Sequence, residues 1–179
     1  NTELAPFKIL KGIEADILAS GDLDYEEEIL EKFDFVIASV HSNLRMDEEK
    51  ATQRILNAIK NPYTSILGHP TGRLILSREG YPIDHQRIID ACAEHGVAIE
   101  LNASPYRLDL DWTWIEYATS QGVKISINPD AHSTAGVHDI HYGTLAARKG
   151  SLTLDNCLNA LNLEAFEDYL QKRKKSKSI

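Results

Sequence analysis

The stretch Ile125-Ser126-Ile127-Asn128-Pro129-Asp130-Ala131-His132-Ser133 decides how the chain is read. Val123, Ile125 and Ile127 alternate with other residues, the period of a half-buried strand. Asn128-Pro129 ends that strand, because proline has no N–H for a ladder and restricts the residue before it. A carboxylate and an imidazole, Asp130 and His132, follow directly. Together at a strand end they suit a divalent cation such as zinc or manganese. Asp-x-His alone is a weak signal, and its weight comes from recurrence.

The same arrangement recurs four times upstream. Phe7 to Leu18 reads as a strand ending near Glu14, and Phe35 to Val40 as one followed by His41. Ser65 to Gly68 leads into His69-Pro70, and Val97 to Asn102 carries Glu100 and Asn102 at its end. Helical patterns lie between them: Asp24 to Lys32, Asp47 to Lys60 with Asp47 as N-cap, Asp84 to His95 stopped by Gly96, and Trp112 to Gln121 stopped by Gly122. Helical segments follow around Gly143 to Arg148 and Leu154 to Leu161. A last helix runs from Leu163 to about Lys174, capped by Asn162, into a basic, solvated tail over 172–179. Asn1 to Pro6 read as a frayed lead-in.

Strands alternating with helices predict an α/β fold of parallel β/α units, a sheet or barrel with right-handed crossovers. In such folds the chemistry gathers at the carboxyl ends of the strands. Of seven histidines, His41, His69 and His132 fall at strand ends, His85 and His95 on helices, and His138 and His141 after the last strand. A single strand-end histidine is more often a hydrogen-bonded structural residue than a ligand. Three of them with Glu14 and Asp130 on one rim predict a metal site.

Composition bounds the rest. The 179 residues are 42% apolar and 26% charged, ordinary for a globular domain with a substantial core. No window is long and apolar enough to span a bilayer, and no signal-peptide pattern is present. Cys92 and Cys157 have no C-x-x-C spacing and read as core thiols of a reduced, cytoplasmic protein. The net charge of −8 argues against a domain that grips nucleic acid by bulk electrostatics. It does not exclude a phosphate substrate, since bound cations reverse the local sign.

Five segments together carry a resemblance: Gly12-Ile13-Glu14-Ala15-Asp16, Ser39-Val40-His41, Leu67-Gly68-His69-Pro70-Thr71-Gly72-Arg73, Glu100 to Asp109, and Asp130-Ala131-His132-Ser133. The chain resembles the PHP (polymerase and histidinol phosphatase) metal-dependent phosphoesterases. It is most similar to the PHP domain at the C-terminus of bacterial and archaeal family X DNA polymerases. Gly-His-Pro-Thr-Gly-Arg followed by Ser77-Arg78-Glu79-Gly80-Tyr81 resembles the polymerase branch specifically. The resemblance implies a distorted, TIM-like barrel of seven strands with up to three metal ions, manganese or zinc, at the strand ends. Glu14 would bridge two metals, His41 and His69 would complete the second site, Asp130 would serve the first and His132 the third. Glu14 and Asp130 would be the catalytic carboxylates.

The family's opening His-x-His strand is not present, and about five of the seven strands are. The chain therefore reads as a single-domain fragment over 1–179, from the third barrel strand onward, with one complete site formed by Glu14, His41 and His69. An uncovered sheet edge would invite a homodimer. The implied activity is phosphoester hydrolysis by metal-activated water: 3′→5′ exonuclease or 3′-end processing of DNA, with polymerase domains upstream in the same chain. Arg73 and Arg107, near strand ends, would either hold phosphate bidentately or make surface salt bridges. Asp16, on Glu14's face, would orient a metal ligand. Tyr106 would stack on a base or pack in its loop. The alternatives are a small-molecule phosphatase of the histidinol-phosphatase type, an inactive module supporting a polymerase, and a generic α/β binding domain whose histidines are coincidental.

Overall fold

The computed structural model describes residues 1–175; of the tail expected over 172–179, residues 176–179 lie outside the described residues. Five parallel strands form one sheet in the order β1-β2-β3-β4-β5: β1 (Gly12–Asp16), β2 (Phe35–Ser39), β3 (Thr64–Leu67), β4 (Ala98–Asn102) and β5 (Ile125–Asn128). Between and after them run α1 (Glu27–Leu30), α2 (Glu48–Lys60), α3 (His85–His95), α4 (Ile115–Ser120), α5 (Ile140–Lys149) and α6 (Leu163–Lys175). The sheet does not close, as a partial barrel requires. Chain order equals sheet order, so every strand's carboxyl end lies on the same rim.

Local signals set the helix ends. Asp47 caps α2 by accepting from the Lys50 N–H at 2.9 Å, and Asp84 caps α3 by accepting from Arg87 at 3.1 Å. Gly96 ends α3 at φ 65°, a left-handed turn that costs a glycine little. Asn162 caps α6 through the Ala165 N–H at 2.9 Å.

Strand alternation sorts the side chains into two layers. Ala15, Val36, Ala38, Leu67, Ile99, Leu101, Ile125 and Ile127 pack under the helices, against Ala51, Ile55, Ile59, Ile88, Ile89, Cys92, Ile115 and Ala118. The opposite face is graded along the strands. At the amino ends, Ile66 and Ala98 with Phe35 and Ile37 form a smaller core, covered by Leu158, Leu161, Phe166 and Tyr169 from the C-terminal segment. Toward the carboxyl ends that face turns polar, with Glu14, Asp16, Ser39, Glu100, Asn102 and Ser126. β3 and β4, in the middle of the sheet, are buried along their whole length, the polar residues Thr64, Ser65, Glu100 and Asn102 included.

Several elements depart from the sequence reading. β1 begins at Gly12, because Phe7 and Ile9 face solvent and the Asn1 side chain ties back to the Ile9 N–H and C=O. That tie also means the lead-in is held. The acidic helix shrinks to one turn, since Asp24 instead engages the Asp16 N–H (2.9 Å) and C=O (3.0 Å) at the end of β1. The Trp112–Gln121 segment starts as a 3-10 turn, Trp112–Trp114, before α4. Leu154–Leu161 splits into two 3-10 turns because Cys157 between them runs extended and pairs parallel with Ile125. Arg173, expected in a solvated tail, is buried and donates to the carbonyls of Ile59, Asn61 and Thr64.

The outer edge of β5 is not bare. Besides the Cys157 bridge, the Asn159 amide accepts from the Ile127 N–H at 2.7 Å and donates to its C=O at 2.8 Å, imitating a neighbouring strand. The dimer expected through an open edge therefore has no support on that side. Asn159→Ala is expected to destabilise the fold by about 1–3 kcal/mol through two unpaired main-chain groups. It should also make the chain's size in solution concentration-dependent by exposing the edge. Urea unfolding and size-exclusion chromatography at several concentrations measure both.

Candidate metal centre

β1 and β2 end side by side and bring Glu14 and His41 together, with Glu14 paired in register to Ile37. β3 reaches the same point through Gly68. A Cβ there would lie 2.1 Å from Ser39 Oγ and 2.9 Å from Ile37 Cγ2, so only glycine lets this turn approach β2 and deliver His69. Arg54 on α2, itself buried, donates to the carbonyls of Leu18 and Ser42 and so ties together the segments that leave β1 and β2.

Among the described residues, Glu14, His41 and His69 form a group suited to a metal ion. Each imidazole Nε2 lies 3.3 Å from Glu14 Oε1, and the two Nε2 atoms are 3.3 Å apart. An equilateral triangle of that edge fits one face of a tetrahedron, since bonds of about 2.0–2.1 Å to nitrogen and oxygen place ligands roughly 3.3 Å apart. Asp16 Oδ1 meets His41 Nδ1 at 2.5 Å, fixing that ring by its other nitrogen as a carboxylate does behind many metal-bound histidines. His69 is 2% exposed and its Nδ1 has no hydrogen-bond partner. The donor set and its support fit a divalent cation.

Without one, the triangle is an ion-paired cluster. The His41 and His69 imidazoles hold the Glu14 carboxyl well below the usual carboxylate range. Glu14, with Asp16 behind it, raises His41 to about 9. Glu100, 4% exposed, lies under the rim. Its carboxylate accepts from the His69 N–H at 2.7 Å, Asn128 Nδ2 at 2.8 Å and Asn102 Nδ2 at 3.4 Å, and burial pushes its titration upward.

The remaining site residues fall around this group. Asp130 accepts from Asn102 Nδ2 at 3.1 Å and lies 3.7 Å from Arg107 Nε, joined to Glu100 through Asn102 but outside the Glu14–His41–His69 triangle. His132 is 88% exposed, with Nδ1 2.7 Å from the Asp130 carbonyl, and does not enter the group. Arg73 pairs with Asp111 at 2.7 Å and donates to the carbonyls of Arg107, at 2.8 Å, and Leu108, so all three guanidinium nitrogens have partners within the protein. Arg107 stands beside Asp130, and Tyr106 is exposed in its loop. Sequence reading assigned no part to Arg54, Asn128 or Asp109. Glu100 and Asn128 carried a signal, polar groups on the inward period of buried strands; Asp109 carried only its place at the end of the Glu100–Asp109 segment, and Arg54 carried none, because tertiary contacts place them.

Since a metal binds the neutral imidazole, it has to displace the proton that faces Glu14 on His41 Nε2, while Asp16 keeps the one on Nδ1. Zinc affinity is expected to rise about tenfold per pH unit up to about 9, with one proton released from His41 per ion at neutral pH. Calorimetry in buffers of different ionisation enthalpy counts that proton. In the metal-free chain the raised value gives the opposite trend: the pair stabilises the fold fully below 6.5, and that contribution fades as pH rises through about 9.

No protein-family model matches the chain. Curated relatives do. The chain is 43% identical over 172 residues, 96% of its length, to the DNA polymerase/3′-5′ exonuclease PolX of Bacillus subtilis strain 168, but spans 30% of that protein. It is 34% identical over 178 residues to a probable phosphatase of Thermoanaerobacter sp. strain X514, covering 94% of this chain and 70% of that one. A probable phosphatase of Acetivibrio thermocellus is 32% identical, over 93% of the chain and 70% of the relative. With two thirds or more of these phosphatases covered at such identity, the chain belongs to their family.

Proposed function

We propose that this chain is a PHP-type metal-dependent phosphoesterase domain of a family X DNA polymerase, acting on DNA 3′ ends. Its 179 residues are read as one domain, from the third strand of a seven-stranded barrel onward. The observation that carries this reading is the Glu14–His41–His69 triangle at the shared rim of a parallel sheet. Similarity over nearly the whole chain to a polymerase named a 3′-5′ exonuclease supports the choice of DNA.

Glu14, His41 and His69 would hold manganese or zinc, with Glu14 bridging to a neighbouring site served by Asp130 and His132 serving a third. A divalent ion bound there supplies positive charge that neutralises a phosphoester and acidifies the attacking water. The chain's own groups do the rest. Asp16 orients His41. Arg73 holds the carbonyl of Arg107, so the loop presents the Arg107 guanidinium beside Asp130, where its N–H donors can meet a phosphate oxygen. With the Glu14 and Asp130 carboxyl groups at the rim and a net charge of −8, substrate phosphate approaches only where metal and Arg107 reverse the sign.

A second reading, a small-molecule phosphatase of the histidinol-phosphatase type, is favoured by the probable phosphatases, of which the chain covers about 70% rather than 30%. With manganese present, release of nucleotides or terminal phosphate from single-stranded DNA supports the first reading, and turnover of histidinol phosphate alone supports the second. Glu14→Gln and treatment with a chelator are expected to abolish either activity. A chain that binds no metal and is indifferent to Glu14→Gln would instead be an inactive module. Arg107→Ala is expected to weaken DNA binding by roughly tenfold, the worth of one charged hydrogen bond, while leaving metal affinity unchanged.

A further inference from the structure

His69 presents Nε2 to the triangle, which leaves Nδ1 pointing into the protein, buried and without a partner. Asp109 is 0% exposed, and its carboxylate is used on one side only. Oδ2 accepts from the Thr71 N–H at 3.0 Å and from Thr71 Oγ1 at 2.9 Å, whereas Oδ1 is buried with no hydrogen-bond partner. A buried carboxylate oxygen lacking a donor and a buried ring nitrogen lacking an acceptor are complementary, and each is costly alone.

The backbone brings them into one neighbourhood. The turn His69-Pro70-Thr71-Gly72 closes through the Gly72 N–H on the His69 carbonyl at 3.0 Å, and Asp109 is fastened to that turn at Thr71. Asp109 is itself fixed to the end of β4, where its carbonyl accepts from the Asn102 N–H at 2.6 Å. From the other side Glu100 holds the His69 backbone N–H.

We propose that Asp109 is the positioning residue for His69, its free carboxylate oxygen serving as the acceptor that keeps the imidazole proton on Nδ1 and the Nε2 lone pair on the metal. The proposal rests on the metal reading above. It gives the rim two histidines oriented alike: Asp16, half-buried, stands behind His41, and Asp109, buried, behind His69. A metal-bound histidine whose other nitrogen has lost its acceptor typically loses about 10- to 100-fold in affinity.

Asp109→Asn tests it by zinc titration of the chain. The expected result is a loss of about 10- to 100-fold in zinc affinity with no fall in the melting temperature of the metal-free protein, because the variant removes a buried charge while its amide oxygen still accepts from Thr71. Purely structural support would lower stability and affinity together. An affinity within twofold of wild type overturns the proposal and leaves the metal reading standing. Wild-type chain that binds no zinc overturns both. The ring itself can be read without any variant: nitrogen-15 spectra of the metal-free and zinc-loaded wild type should show His69 protonated at Nδ1 throughout. An Nε2–H tautomer overturns the proposal, as does an Asp109→Asn spectrum in which Tyr81 and His85, which also sense this carboxyl, shift while His69 stays.

Discussion

A parallel sheet has to be covered on both faces, and here the two covers differ in kind. Helices cover one face with an ordinary aliphatic core of isoleucine, leucine and alanine. The other face is covered for only part of its length. Leu158, Leu161 and Phe166 fill the half next to the amino ends of the strands and stop. The half beyond them carries Glu14, open to solvent, and Ser39, Glu100, Asn102 and Ser126, buried polar groups that need partners. The candidate metal centre occupies that unfilled half.

Burial cost explains how the polar half is organised. Glu100 would be expensive as an isolated carboxylate, and it is met by three donors from β4, β5 and the turn after β3. Those bonds hold the ends of three strands in a common register, so the carboxylate acts as a hub between His69 and, through Asn102, Asp130. Glu14 sits nearer solvent and is met by imidazoles instead of amides. That difference separates a structural carboxylate from one able to bind a cation: amide donors are not metal ligands, whereas imidazole nitrogens are.

The arginines divide in a similar way. Arg54 and Arg73 direct their guanidinium groups at main-chain carbonyls where loops leave the sheet, and Arg173 at those between α2 and β3 where the chain enters it, which is cheap because the planar fork satisfies two or three acceptors at once. Arg107 lies on a loop that Arg73 holds and keeps donors at the rim. In an acidic chain this makes the local charge near the candidate site a product of a few placed side chains rather than of composition.

Sequence alone determined the alternation of strands and helices, the caps at Asp47, Asp84, Gly96 and Asn162, and the positions of His41 and His69 just past strand ends, because each rests on periodicity or chemistry within a few residues; Glu14 lies two residues inside the end of β1. Helix lengths failed where a distant group competed for the same backbone: Asp24 is drawn to β1 and Cys157 to β5. The tertiary structure alone decided that three of the five rim candidates meet while His132 faces solvent, and that Arg73 is bound to Asp111. It also decided that Glu100 and Asp109 are buried beneath the site. Strand-end position puts a residue on the rim, but only the packed turns between strands set the direction and the distance at which its side chain arrives.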